Sequence, residues 1–180
     1  MAKKKNNESI WILKITFLAF FISMIFSFVS EIALSNTNII IGTIILLVFI
    51  LLGVFFDMVG VAVTAADEKP LHSMNARKVK GADVATIFKK NAAKVSSFCN
   101  DVVGDICGII SGSAGVVIAA SITKIISINP LYISLVITAL VASLTIGGKA
   151  VGKGIAIKNS NKILYGFSKF ISYFYHPKNK

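Results

Sequence analysis

The chain has 180 residues, of which 55% are hydrophobic and 15% charged, and its formal net charge at pH 7 is +11. A water-soluble domain of this length does not need so many apolar residues, and here they form long blocks with the charges concentrated between them. The composition therefore predicts an integral membrane protein. It argues against nucleic-acid binding, because the basic residues are not interleaved with aromatic ones as in a soluble nucleic-acid-binding module.

The first apolar block covers residues 10–34 and follows a polar start with Lys3, Lys4 and Lys5. It is longer than the apolar core of a signal peptide, about 7–15 residues, and no convincing A-x-A cleavage site follows it. It therefore predicts a retained transmembrane helix. After a polar turn at 35–38, a second block at 39–66 exceeds the roughly 20 residues needed to span a bilayer and contains Asp57.

Residues 67–100 form the one long polar region of the sequence. Its apolar residues predict two short helices, around 71–79 and 84–88, which Pro70 and Gly81 punctuate. The region predicts a basic helical hairpin, since it contains seven basic residues: Lys69, Arg77, Lys78, Lys80, Lys89, Lys90 and Lys94.

A third apolar block at 101–128 carries Gly104, Gly108 and Gly112 on one helical face, and such small residues let helices pack closely in lipid. Asn129-Pro130 breaks this helix, and a fourth block at 131–146 ends in two glycines followed by Lys149. The two cysteines of the chain have neither redox-pair nor zinc-site spacing, which favours a packing role.

The segment 155–180 predicts a basic amphipathic helix, because its apolar residues recur at helical spacing. Such a helix can lie in the membrane interface, and packing against a partner domain is the alternative. The apolar stripe consists of Ile163, Leu164, Phe167, Phe170, Ile171 and Phe174.

The distribution of Lys and Arg predicts the topology. The N-terminus, the 67–100 region and the C-terminus carry most of the basic residues, whereas the turns at 35–38 and 128–130 carry none. By the positive-inside rule this predicts an all-α protein of the inner (plasma) membrane with four transmembrane helices. Both termini and the hairpin would be cytoplasmic, and the C-terminal amphipathic helix interfacial.

No catalytic or nucleotide-binding motif is intact. The segment from Gly147 to Lys153 matches a P-loop superficially, but Gly154 stands where Ser or Thr is needed, and a membrane span precedes it instead of a strand. His72 and His176 lie far apart, without a nucleophile or carboxylate at suggestive spacing. The chain is therefore not predicted to be an enzyme or to bind a nucleotide.

Ionisable residues within the apolar blocks are the strongest functional signal. The candidates are Asp57 in the second block, Asp101 and Asp105 at the start of the third, and Lys149 just after the fourth, whereas Lys14, Glu31 and Lys124 lie toward the ends of their blocks. Charges within a bundle of membrane helices normally face inward and pair with one another. The charge pattern by itself is equally consistent with a polar ion site between spans and with a structural Lys–Asp clamp.

Three segments resemble the transmembrane domain of the CNNM/CorC/CorB family of magnesium and cobalt transporters. Residues 55–63, FFDMVGVAV, are in register with the family pattern F-F-S-x-S-E-x-A-L, and residues 90–97, KNAAKVSS, resemble the end of its cytoplasmic hairpin. Residues 148–160, GKAVGKGIAIKNS, correspond to G-E-x-x-P-K-x-x-A-x-x-N-P. The resemblance divides the chain into an extra N-terminal span at 1–38, a three-span domain at 39–154 and a juxtamembrane helix at 155–180.

This resemblance implies a homodimer with a dehydrated Mg²⁺ held between spans by hydroxyls, an amide and a carboxylate. The serine of the first motif falls on Asp57, and its glutamate on Gly60. The glutamate of the last motif falls on Lys149, its proline on Gly152, and the middle-span asparagine falls near 105–108. Asp57 and Asp105 are therefore the implied metal ligands, and the family's nucleotide-binding CBS domains do not follow within these residues.

The leading functional prediction is therefore divalent-cation transport, of magnesium or cobalt, or a degenerate form of it. In this interpretation Lys149 acts as an internal counter-ion or gate beside Asp57 and Asp105. The alternative is a non-transporting membrane interaction or regulatory protein whose Lys149–Asp cluster is a structural clamp. Replacing a ligand carboxylate with an ammonium favours this alternative, because the ammonium repels a metal ion.

Overall fold

The computed structural model describes residues 2–34, 38–126 and 129–174. Within the first of these ranges, side chains are described for residues 10–32 only. Residues 35–37 of the predicted first turn, Ile128 of the second, the side chains of Lys3 to Lys5, and His176 lie outside what is described. Within the described ranges the fold consists of helices without strands. The helices are α1 (Ala2–Leu34), α2 (Ile39–Ala65), α3 (Glu68–Ala76), α4 (Ala82–Lys90), α5 (Ala92–Ser97), a π-helical segment (Phe98–Gly104), α6 (Asp105–Thr123), α7 (Pro130–Lys158) and α8 (Ser160–Ile171).

Four helical stretches of the described chain are long and apolar enough to cross a membrane. They are Ile10–Ile32, Ile39–Ala65, Ala92–Thr123 and Pro130–Lys158, with mean hydropathies of 2.3, 3.2, 1.9 and 2.0. Their apolar residues are largely exposed on the chain itself, as expected for surfaces that face lipid. The prediction of an all-α membrane protein with four membrane-spanning helices is thereby confirmed.

The chain divides into two compact units. The first unit consists of Met1–Phe49 and Ile106–Ala142. In this unit the rings of Phe26 and Phe49 meet edge to face at 6.3 Å, and a Cβ added at Gly115 would lie 3.1 Å from a methyl group of Val141. Small residues therefore bring α6 close to the first part of α7.

The second unit consists of Ile50–Asp105 and Ser143–Lys180. Its core packs α3, α4 and α8 against the second half of α2, and Leu71, Val84 and Leu164 are almost inaccessible to solvent. Two polar contacts hold these helices in place. The Lys89 ammonium donates to the carbonyl of Thr64 at 2.8 Å, and the backbone N–H of Asp67 donates to the Asn161 side chain at 2.9 Å.

The polar region 67–100 forms three short helices instead of the two predicted. The third, α5, continues through the π-helical segment into α6, so this membrane-spanning stretch begins at Ala92 rather than at Asp101. Gly81 precedes α4 with a left-handed φ of 85° and packs against the backbone of Lys169 in α8. Only glycine fits there, because a side chain would meet both the left-handed strain and the α8 backbone.

The fourth helix also extends beyond its predicted end. α7 continues through the two glycines to Lys158, and α8 begins only at Ser160. The apolar stripe of α8 packs partly within its own chain, since Leu164 is buried and Phe167 contacts three other phenylalanine rings. Phe170 and Phe174 at the far end of the stripe stay exposed.

Candidate functional site

Asp57 is the most deeply buried charged side chain of the second unit's described residues. It lies in the apolar helix α2, and its side chain is only 5% exposed. An ionised carboxylate buried without partners is costly, so its neighbours decide what it does. These neighbours come from α7.

Two lysines of α7 approach the two oxygens of Asp57. Lys149 Nζ lies 4.0 Å from Oδ1, and Lys153 Nζ lies 3.3 Å from Oδ2. The two lysines are four residues apart, so they lie one turn apart on the same face of α7. The partnership of Asp57 with Lys149 was predicted from the sequence, whereas Lys153 was noted there only as a residue of the degenerate P-loop and of the family-like segment 148–160.

Two glycines bring α7 close enough for this contact. A Cβ added at Gly148 would lie 2.9 Å from a methyl group of Val54, and one added at Gly152 would lie 3.1 Å from the other. The two positions form a Gly-x-x-x-Gly motif, which lets helix backbones approach in lipid. This motif was not predicted from the sequence. The available signal was the pair of glycines four residues apart, each of them directly followed by one of the two lysines.

Asp105 completes an ion-pair chain at the start of α6. Its Oδ1 accepts a hydrogen bond from Lys149 Nζ at 3.4 Å, but its side chain is 65% exposed. The structure therefore brings Asp57, Asp105 and Lys149 together as the sequence suggested. Asp101, the remaining acidic candidate, is exposed.

An amide with a buried oxygen, that of the half-buried Asn100, lies beside α2 one turn beyond Asp57. Asn100 in the π-helical segment lies directly over Gly60, so that a Cβ added at Gly60 would overlap its amide oxygen. The Asn100 Nδ2 donates to the Ser96 hydroxyl at 3.3 Å, but its buried Oδ1 accepts no hydrogen bond from the described residues. The resemblance placed the family's middle-span asparagine near 105–108, where this sequence has none, and the asparagine that the structure places beside α2 is Asn100.

Asp57 Oδ2 is likewise buried without a hydrogen bond, although the Lys153 ammonium is 3.3 Å away. Two buried oxygens without a hydrogen bond therefore lie on one side of α2, namely the carboxylate Oδ2 of Asp57 and the amide Oδ1 of Asn100. Residues i and i+3 of a helix share a face, which places both beside the position of Gly60. A buried oxygen without a hydrogen bond raises the free energy of the fold, and Asp57 Oδ2 has only its ion pair with Lys153, so this region has capacity for a further donor or a cation.

The predicted glycine stripe is only partly used within the chain. Gly104 belongs to the site, since a Cβ there would lie 3.7 Å from Lys149 Nζ and 3.7 Å from the carbonyl oxygen of Gly53. A Cβ at Gly108 or Gly112 would meet no described atom within 4 Å. Close packing on α6 occurs at Gly115 instead, because that residue faces Val141.

The described donor set is poor for a metal ion in the conformation seen. No group of three or more His, Cys, Asp or Glu side chains that could hold a metal occurs in the described residues. The two carboxylates at the site already face two ammonium groups. A divalent cation would need the oxygens of Asp57, Asn100 and Asp105, together with withdrawal of the lysines, because Mg²⁺ requires oxygen ligands in near-octahedral geometry.

Comparisons with protein-family models, curated proteins and solved structures found no match to this chain. The resemblance to CNNM/CorC/CorB transporters therefore rests on the sequence segments quoted above alone.

Proposed function

We propose that this chain is an integral membrane protein of the divalent-cation transporter type, acting on magnesium or cobalt. Its cation site centres on Asp57, and Lys149 and Lys153 act there as built-in counter-ions. The observation that supports this best is the pair of buried oxygens without hydrogen bonds, Asp57 Oδ2 and Asn100 Oδ1. An ionisable group within a membrane-spanning helix generally marks an ion pathway, and oxygen atoms are the ligands that hard cations prefer.

In this proposal the lysines and the metal ion alternate. The Lys153 side chain is 50% exposed, and a lysine has a flexible stem that lets its ammonium move into water. Withdrawal of the two ammonium groups removes two positive charges, which a divalent cation replaces. Asp57, Asp105 and Asn100 then offer three protein ligands, and Mg²⁺ commonly keeps several of its waters. Alternating exposure of the site to the two sides would complete transport.

A second candidate function is that of a non-transporting interaction or regulatory protein. It is favoured by the charge balance, since two carboxylates and two ammonium groups neutralise each other at the site. In that case the cluster is a clamp that holds α7 on α2, and the protein acts through contacts with partners. We expect either form to be a homodimer in the inner (plasma) membrane with both termini cytoplasmic, from the basic residues and the family resemblance.

Flux measurements distinguish the two functions. The native protein and Asp57→Asn are reconstituted in liposomes, and uptake of Mg²⁺, Co²⁺ and Mn²⁺ is followed with an entrapped indicator. Transport predicts flux in the native protein, loss of at least about tenfold in Asp57→Asn, which removes the negative charge of a ligand, and a clear reduction in Asn100→Ala, which removes an oxygen ligand. Lys158 is an exposed lysine of α7, the helix that carries Lys149 and Lys153. Lys158→Gln is therefore the control and should transport normally.

Two outcomes would contradict transport by the native protein. Absence of flux in the native protein and in Lys149→Gln/Lys153→Gln, with both proteins folded, would exclude the transporter and leave the clamp. Flux in the double variant alone would show a cation site that the native lysines close permanently.

A further inference from the structure

An apolar groove lies between α8 and the second half of α2, two helices that also contact each other through phenylalanine rings. Its volume is about 530 Å³, and every residue that lines it is apolar. Phe55, Met58 and Val59 form the α2 side, and Gly166, Phe167 and Phe170 form much of the α8 side. All of these residues belong to the second unit of the chain. A volume of this order is typical of a site for a small apolar ligand.

A bilayer whose hydrocarbon core begins at the first residue of α2 places the groove where hydrocarbon meets headgroups. With a rise of about 1.5 Å per residue, Phe55 to Val59 lie roughly 25–30 Å along α2 from its first residue. The hydrocarbon core of a bilayer is about 30 Å thick, so a span that enters at one edge reaches the other edge at this point. In that placement the opening of the groove is near the headgroup region, and its apolar walls face acyl chains.

A basic stripe on α8 borders the same opening. Lys162, Gly166, Lys169 and Tyr173 follow the spacing i, i+4, i+7 and i+11, so they share one face of the helix. Gly166 lines the groove, and an exposed lysine therefore lies about one turn on either side of it. α8 contains no acidic residue that would offset these charges. The ammonium of Lys80 adds a third positive charge, because it lies 3.9 Å from the centroid of the Tyr173 ring.

We infer that this groove is a binding site for an anionic phospholipid of the bilayer. One acyl chain lies in the groove over Gly166, and the phosphate of the headgroup is bound by Lys162 and Lys169. The combination supports this assignment, since lysines beside a membrane surface attract anionic headgroups while the apolar walls accept the chain. A second copy of this chain fits poorly, because a symmetric contact would place the same basic stripes against each other.

Fluorescence quenching by brominated lipids tests the site. The single tryptophan is removed by Trp11→Phe, and Phe170→Trp places a reporter on the groove wall. The full-length protein is placed in phosphatidylcholine nanodiscs that contain brominated phosphatidylglycerol or brominated phosphatidylcholine. We expect an apparent preference of about tenfold for the anionic lipid, since each lysine near the surface contributes about fivefold and two act here with partial screening.

Two sets of variants locate the lipid. Gly166→Leu should remove the preference, because a Cβ at this position meets no other atom within 4 Å and the rest of the leucine side chain would extend into the groove that Gly166 lines. Gly154→Leu is the matched control, since its Cβ likewise meets nothing within 4 Å but it does not line the groove. Lys162→Gln/Lys169→Gln should reduce the preference to less than about twofold, whereas exposed Lys94→Gln should leave it unchanged.

Equal quenching by the two lipids in the reporter protein would overturn the proposal. A preference that survives Gly166→Leu, in a protein whose thermal unfolding is unchanged, would also overturn it. Weak quenching by both lipids would overturn it too, because it would show that the acyl chains of neither lipid reach the reporter on the groove wall.

Discussion

At the scale of single residues, the environment of Asp57 explains how a carboxylate is retained within a strongly apolar helix. Two ammonium groups approach it from one side, and its side chain is only 5% exposed. Removing one partner of a buried ion pair is much more destabilising than removing both, because the remaining charge is left without compensation. The contribution of the exposed Asp105 is small by comparison, since solvent screens it.

This difference predicts the result of a double-mutant cycle. Lys149→Met/Lys153→Met should lower the free energy of unfolding by about 3 kcal/mol, because it leaves the Asp57 charge unpaired. Adding Asp57→Asn to that variant should restore more than half of the loss. Thermal unfolding in detergent, followed by circular dichroism, measures both effects. Asp105→Asn is the control and should cost less than about 1 kcal/mol. Strictly additive effects of the lysine and aspartate changes would show that the groups do not interact.

At the scale of elements, the position of α7 depends on its glycines. Two adjacent glycines suggest a helix end, because each lowers helix propensity by about 1 kcal/mol relative to alanine. Here the helix continues, since Gly148 and Gly152 pack against Val54 of α2 and tertiary contacts offset the propensity. The π-helical segment also positions a side chain, since it holds the Asn100 amide over Gly60 of α2. Such wide helical turns often occur at functional sites.

The packing of α7 on α2 can be tested by enlarging its glycines. Gly152→Leu should lower the free energy of unfolding by about 1–3 kcal/mol, because its side chain would collide with Val54 and separate the two helices. The same substitution at Gly154 is the control and should be neutral or stabilising, since its Cβ meets no atom within 4 Å. Denaturation in mixed micelles provides the measurement. Equal destabilisation by the two changes would indicate a general effect of leucine at this end of the helix rather than loss of the α2 contact.

At the scale of the whole molecule, four apolar helices establish the membrane class, and the basic residues predict its orientation. The hairpin 67–100 carries seven basic residues, whereas Asn129 lies in a turn without Lys or Arg at 128–130. Basic loops are retained in the cytoplasm, so the hairpin and this turn should be on opposite sides of the membrane.

Cysteine labelling in intact cells tests this orientation. Both native cysteines are buried, which limits their background reaction. A membrane-impermeant maleimide should label Asn129→Cys in intact cells, but should label the exposed Ser73→Cys only after permeabilisation. Serine introduced at Asn129 serves as the control for nonspecific labelling. Labelling of Ser73→Cys from outside would reverse the predicted topology, and labelling of both sites from outside would exclude an odd number of spans between them.

The sequence by itself determined the membrane class, the number of apolar spans and the identity of the charged residues Asp57, Asp105 and Lys149. These depend on composition and on local periodicity, which are readable without coordinates. The tertiary structure alone decided that Lys153 is a second partner of Asp57 and that Gly148 and Gly152 bring α7 to α2. It likewise decided that Asn100 places a buried amide oxygen beside α2. It also decided which part of the α8 stripe is covered by its own chain. These facts depend on the rotation and separation of packed helices, and residues that are distant in sequence determine both.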